Sequence, residues 1–421
     1  MRWDQNTTIT WNMIRKINCD NPLRAMFAVR RMAHMTDYKQ SGTVSHMASD
    51  QFTVRAVHNS RQMQQFITLP REMYRGDSRY VPHLDYERQQ FFDPDQNPLF
   101  EFTDVEYFLL YDSTGEPAGR ITAHINHRHN EYWDERAGCF GFFECLPDPE
   151  ASAALFNAAE GWLRERNMGL VRGPLNFSTN EECGLLVDGF DTPPAIMMPH
   201  NKQYYPALLR KAGYRKARDL LALDYHSDGE TPRYLRRVAD RIRDRTGIRI
   251  RTINMNHFDA EIEKAFRVYN RAWEDNWGFV PMSEAQFRHM ADELRPIIDP
   301  NIALIAEKDG HPIAFSLSLP DYNRILRKLN GKLLPLGWVR LLLEPRRIDR
   351  VRVITLGVVE EYRNSGVDAL LYHDTFENGA SRGYWSCEMS WILEDNDLML
   401  RALRRMGAER YKTYRIYARE L

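Results

Sequence analysis

The spacing of apolar residues changes period along this chain, and each change marks an element. Residues 351–359 (Val-Arg-Val-Ile-Thr-Leu-Gly-Val-Val) form a β-branched, apolar run, which predicts a strand buried on both faces. Glu360-Glu-Tyr-Arg-Asn-Ser-Gly-Val-Asp368 interrupts it, and helical spacing follows with Leu370, Leu371, Phe376 and Ala380 on one side. A strand over 385–393 and a short helix carrying Ala402 and Leu403 towards Gly407 complete this unit. Upstream, 52–57 reads as a short strand, with Met63, Phe66, Leu69 and Met73 on one helix face. Runs 105–111, 118–125 and 139–145 predict strands, the first two joined by the turn Asp112-Ser-Thr-Gly-Glu-Pro117. A helix over 149–166, a strand at 170–174 and a closing helix within 201–214 come next. The order then recurs. A strand at 248–253 precedes a helix through Phe258, Ile262, Phe266, Tyr269 and Trp273, a helix over 283–294, and strands at 302–306 and 313–319. Residues 1–51 lack sustained periodicity and read as a poorly ordered extension.

A chain of 421 residues with this apolar content has room for two or three domains. Its net charge of -1 argues against nucleic acid as a partner. Five cysteines, odd in number and without a C-x-x-C pair, fit free thiols in a reducing compartment. No apolar run reaches the ~18–20 residues that span a bilayer, and residue 1 is not followed by a signal peptide's apolar core. The expected location is cytoplasmic, peripheral on the inner membrane.

The turn at 360–368 carries the first chemical signal. A helix that opens there leaves N–H groups unpartnered at the positive end of its dipole, a seat for phosphate. Arg363 adds charge, and Gly366 would let a ligand approach the backbone. The equivalent loop of the earlier repeat, Leu146-Pro-Asp-Pro-Glu150, has no glycine, no base and two acids, so it should bind phosphate poorly.

Arg363-Asn-Ser-Gly366-Val-Asp368 resembles the coenzyme A loop of the GNAT N-acyltransferase superfamily, and Ser390-Trp-Ile-Leu-Glu-Asp-Asn396 resembles that family's next strand and turn. Asp368, where a small residue is usual, could cap the helix; Leu403 stands where many such enzymes carry an acidic Tyr. The resemblance implies an α/β chain of two tandem GNAT folds, each a mixed, mainly antiparallel sheet flanked by helices. They would span 52–225 and 246–421, joined by a helical connector at 226–245. Acyl-CoA, as co-substrate, would lie on Val358, Val359, Arg363, Asn364, Ser365, Gly366, Val367, Asp368 and Asn396 of the second, and the first would shape the acceptor side.

Residues 321–349 are an insertion where such a sheet needs only a turn. Seven Arg and Lys residues interleave there with Leu, Ile, Val and Trp338, as in segments that lie at an anionic membrane surface. The same pattern also suits a helix packed on its own domain. Further runs, Gly173-Pro-Leu-Asn-Phe-Ser-Thr-Asn-Glu-Glu-Cys-Gly184, Trp273-Glu-Asp-Asn-Trp-Gly-Phe-Val-Pro281 and Tyr411-Lys-Thr-Tyr-Arg-Ile-Tyr417, resemble the bacterial ceramide synthase family. That likeness implies transfer of a long-chain acyl group from acyl-CoA to the amine of a sphingoid base or other lipid amine. An acetyltransferase acting on a small amine or peptide, and a non-catalytic GNAT-like binding protein, are the alternatives.

An alkyl ammonium must lose a proton before attacking a thioester, so a base is needed. Glu388, a carboxylate on an apolar strand, is the first choice, although such a carboxylate also serves as a structural partner for arginine. Glu394 is the second, with Tyr411 and Tyr414 as candidates to protonate the thiolate. Asn176, Ser178, Asn180 and Glu181 crowd one loop suited to an amine and hydroxyls, and Trp277 is placed with them. His124, His127 and His129 have metal-like spacing but no closing ligand, and the expected reaction needs no metal.

Overall fold

The computed structural model describes residues 51–227 and 229–421; the expected extension lies, but for Gln51, outside the described residues. The first half runs β1 (Phe52–Ala56), α1 (Ser60–Met73), α2 (Asp85–Phe91), β2 (Thr103–Asp112), β3 (Pro117–Asn126), α3 (His127–Trp133) and β4 (Ala137–Cys145). It continues with α4 (Pro149–Glu165), β5 (Leu170–Gly173), β6 (Leu185–Asp188), α5 (Tyr205–Lys211) and β7 (Arg215–His226). A connecting helix α6 (Arg233–Thr246) leads to β8 (Arg249–Thr252), α7 (Phe258–Ala272), α8 (Glu284–Leu294), β9 (Ala303–Lys308) and β10 (His311–Pro320). The insertion forms α9 (Asn323–Leu329) and α10 (Gly337–Leu343). Then come β11 (Arg350–Val358), α11 (Val367–Ser381), β12 (Ser386–Leu393), α12 (Asp397–Arg405) and β13 (Glu409–Glu420).

Local chemistry fixes the main helices. Asp148 accepts from the N–H groups of Glu150 and Ala151, Pro149 opens α4, and Leu155, Phe156, Trp162 and Leu163 pack onto the first half's core. Ser283 and Gln286 form a capping box on α8.

The two halves join edge to edge in one 13-stranded sheet, ordered β1-β2-β3-β4-β5-β13-β7-β12-β11-β10-β9-β8, with β6 also on β13. Only β4–β5 and β11–β12 are parallel. The closing strands are exchanged. β7, from the first half, pairs with β12 of the second, and β13, the end of the chain, lies between β5 and β7.

Both parallel pairs part early. β4 and β5 pair only over Ala137–Cys139 and 170–172, and β11 and β12 only over 350–353 and 386–389. A bulge in the β10–β11 ladder falls between Leu317 and Ser318, next to where the second splay opens. Cys139, Cys145, Cys183 and Cys387 are free thiols; Cys19 lies outside the described residues. Among the described residues no helix is long and apolar enough to cross a membrane.

Candidate active site

In an antiparallel ladder successive N–H groups point to opposite edges. The Val359 N–H donates to Ile313 O at 3.0 Å, so those of Leu356 and Val358 point towards β12, which has already parted. Val358 therefore aims a main-chain donor into an open notch. Val359 does not, because its donor is spent on β10. The Trp273 ring lies against β11 here, and only glycine at 357 permits it: a Cβ would sit 2.1 Å from the indole.

Below the notch, Asn364 and Gly366 adopt positive φ of 67° and 85°, and α11 begins at Val367 without a side-chain cap. Among the described residues the N–H groups of Asn364, Gly366, Asp368 and Ala369 find no acceptor, while Val367 N meets Ser365 Oγ at 3.4 Å. This is a cluster of free donors at a helix N-terminus. Asp368 is exposed and caps nothing, contrary to the role the sequence suggested. Gly366 is constrained from behind, since a Cβ would lie 2.3 Å from Ile242 of α6. Arg363 reaches the end of α7, donating to Ala272 O at 3.2 Å and pairing with Asp275 at 3.3 Å. Asn396 spends its side-chain oxygen capping α12, on Met399 N at 3.2 Å. Leu403 is fully buried beside Ile392 and Leu400.

The first half's splay is closed by its own chain. Leu175 N donates to Phe140 O at 2.8 Å, and Phe142 N donates to the Asn176 side chain at 2.9 Å. A Cβ on Gly141 would strike Leu175 O at 2.0 Å. Asn176 therefore stands where a second donor arm would enter, which differs from its expected contact with the acceptor.

Glu388 sits at the centre of a buried charged cluster. It is fully buried, accepts from Ser390 Oγ at 2.6 Å and from the Tyr411 hydroxyl, and has Arg352 at 3.7 Å and Arg350 at 3.9 Å. Arg352, itself 1% exposed, also donates to Ile196 O (2.9 Å), Met197 O (3.2 Å) and Ser390 Oγ (2.9 Å) and lies over the Trp391 ring. Burial pushes this guanidinium down and Glu388 opposes it. Lys412, held by Gly189 O at 2.6 Å and Thr192 O at 2.8 Å, is pushed down to about 8 by burial. Asp321 accepts from Ile196 N at 2.9 Å; burial, then Glu388, push it up to about 6. The arrangement pins residues 189–198 onto the sheet. It also pairs Glu388 with arginine and leaves it no free face, which corrects its expected role as base. Glu394 is likewise tied, to Lys216 at 2.5 Å and Asp219 N at 3.1 Å. Burial and Glu388 push the Tyr411 phenol far up, which makes it a poor acid. Tyr414 is fully buried, and its hydroxyl has no partner among the described residues.

The loop between β5 and β6 crosses from the first half onto the second. Thr179 donates to Gly278 O at 2.6 Å and Asn180 to Val280 O at 3.1 Å, while Tyr269 of α7 donates to Asn180 at 2.7 Å. Ser178 donates to Glu181 at 2.5 Å. Trp277 lies between Arg172 and Arg218. Burial alone would raise the Glu182 carboxyl, but His83, Arg88 and Asn176 hold it well below the usual carboxylate range. The histidines are taken separately: His127 by Asp104, His129 by Glu135, and His124 pushed down to about 3 by burial. Among the described residues no three His, Cys, Asp or Glu side chains are placed to hold a metal ion. Arg352 and Lys412 were missed in the sequence; the signal available was a lone cation inside an apolar strand run.

No family model matches the chain. It is 37% identical over 385 residues to Protein YghO of Escherichia coli (strain K12), covering 90% of this chain and 98% of that one. It is 35% identical over 376 residues to the Bacterial ceramide synthase of Caulobacter vibrioides (strain NA1000 / CB15N), covering 88% and 97%. Among solved structures, a tandem GNAT protein from the clavulanic acid biosynthesis pathway matches with a TM-score of 0.52 at 13% identity, over 88% of this chain and 98% of that one, a likeness of fold. With that identity running through nearly the whole of both proteins, the chain belongs to the bacterial ceramide synthase-like family of tandem GNAT N-acyltransferases, which take their acyl group from acyl-CoA.

Proposed function

We propose that the protein moves a long-chain fatty acyl group from acyl-CoA to the amine of a sphingoid base or a closely related lipid amine. In this reading the coenzyme's diphosphate rests on the free N–H groups of 364–369 beside Arg363, and the pantetheine arm fills the open splay. The Val358 N–H receives the oxyanion that forms as the thioester carbonyl is attacked. The acceptor enters from the side of the 176–182 loop, with Asn180 and Trp277 near its head group.

The observation that carries a lipid substrate is the insertion. α9 packs inward through Ile325 and Leu329, and Asn323 ties it to Pro194 O and Ala195 O at 3.0 and 2.9 Å. Beyond it Leu334, Leu336 and Leu343 are 73%, 70% and 69% exposed, and α10 buries nothing. Lys332, Arg346 and Arg347 are exposed there without an ion pair among the described residues. Apolar tips flanked by exposed cations suit an anionic membrane surface. The relative named as a bacterial ceramide synthase supports the same acceptor class.

The test is mass spectrometry of products from purified protein given acyl-CoAs from acetyl to long-chain, each with sphingoid bases and with simple amines. Amide formed from long-chain acyl-CoA and a sphingoid base is expected. Acetylated small amines as the only product would move the assignment to an acetyltransferase, and no amide from any pair would end it.

A further inference from the structure

Of four glutamates near the two halves' junction, one stands apart. Glu388 is held by two arginines, Glu394 by Lys216, and Glu182 by His83 at 3.3 Å. Glu181 accepts from Ser178 and forms no ion pair among the described residues. Its loop is fixed by Thr179 and Asn180 against the 278–280 backbone. The groups facing it are Tyr269 of α7, Glu293 of α8, and its neighbours Glu182 and Cys183. The nearby cations are already committed: His83 to Glu182, Arg88 to Glu87, His289 to Glu293. Burial pushes the Glu181 carboxyl up to about 7.

From Glu181 the way to the notch is paved with two rings. Tyr269 lies 4.9 Å from Trp273, and Trp273 covers Gly357, the residue before Val358. Through Asn180, which accepts from the Tyr269 hydroxyl, the first-half loop that carries Glu181 thus lies two rings from the second half's open splay.

We propose that Glu181 takes the proton from the acceptor's ammonium, so that the first half supplies the base and the second half the thioester; this rests on the acyltransferase reading above. The N–H bond of the ammonium breaks and its proton goes to the Glu181 carboxylate. The freed lone pair forms the C–N bond, and the carbonyl π pair moves to oxygen, facing the Val358 N–H. Collapse re-forms the carbonyl and breaks C–S, and the remaining surplus proton on nitrogen ends on the departing thiolate. The first proton passes from Glu181 to solvent, leaving amide, free thiol and one released proton. Ser178 is a positioning residue that holds one carboxylate oxygen.

The experiment follows amide and free thiol for wild type, Glu181→Gln and Glu181→Asp over about pH 5.5–9, with folding checked by thermal unfolding. Long-chain acyl-CoA is paired in one arm with a sphingoid base and in the other with a simple alkyl amine. Wild-type kcat/KM should rise with pH through about 7 and level off. Glu181→Gln should lose roughly 100-fold or more in kcat at neutral pH with acyl-CoA binding intact. Its rate should instead climb towards about pH 10, following the amine's own deprotonation. Glu181→Asp should keep the wild-type limb at a reduced rate. A folded Glu181→Gln variant with the wild-type rate, or with the same limb near 7, overturns the assignment. Turnover of the alkyl amine but not the sphingoid base would sink the proposed substrate while the pH limb still decides Glu181. No turnover of either amine overturns both.

Discussion

Replacing Arg352 by methionine removes one guanidinium from the centre of the sheet while keeping most of the side chain's volume. Its stem is fully buried, so no water can take over the groups it leaves. The carbonyls of Ile196 and Met197 lose donors at 2.9 and 3.2 Å, each worth about 1 kcal/mol. Glu388 loses its closer cation, and breaking a buried pair from one side costs about 3–5 kcal/mol. Arg350 remains at 3.9 Å and Ser390 and Tyr411 still donate, which puts that term at the low end. The sum is about 5 kcal/mol, a large part of the 5–15 kcal/mol typical of a folded protein. Urea unfolding at constant slope is the assay. Glu388→Gln added to Arg352→Met removes the orphaned charge and should return at least about 2 kcal/mol, so the pair is strongly non-additive. A single variant that costs under about 1 kcal/mol, or a double variant no more stable than the single, would refute the view that this cluster holds residues 189–198 in place.

Two further outcomes follow from the donor loop and the insertion. Arg363→Glu should weaken acyl-CoA binding by roughly tenfold or more in calorimetry, by setting a negative charge beside the free N–H groups, while unfolding stability changes little. Changing Leu334, Leu336 and Leu343 together to Asp should cut binding to anionic vesicles by roughly 100-fold, since about 1 kcal/mol lost at each gives about 3 kcal/mol. Turnover of a short, soluble amine by that variant should be unchanged.

The sequence carried most elements because their signals are local. β2, β3, β4, β9, β10, β11 and β12 lie on apolar runs, and α7 and α8 on clear helical spacing. β7 was not legible. Arg215-Lys-Ala-Arg-Asp-Leu-Leu-Ala-Leu-Asp-Tyr-His226 is charged at one end and leucine-rich at the other, with no alternation and no β-branched residue. It is a strand because β12 and β13 flank it, and partner choice between distant strands leaves no local trace. α3 was missed for want of an apolar face; Asn126 caps it. The donor loop was visible as a motif, but the reason for Gly366 was not, because Ile242 is more than a hundred positions away. The candidate base illustrates the same limit. Glu181, Glu388 and Glu394 look alike as letters, and only the cations brought to two of them from other elements tell them apart.

The order of strands bears on how the protein is made. β5 and β7 are not neighbours; the 12 residues of β13 fill the space between them, and they are made after every other strand described. The half synthesised first therefore stays unsealed until β13 follows, with two bare strand edges in need of shelter. Losing that one strand would part the sheet between β5 and β7, which makes β13 its keystone.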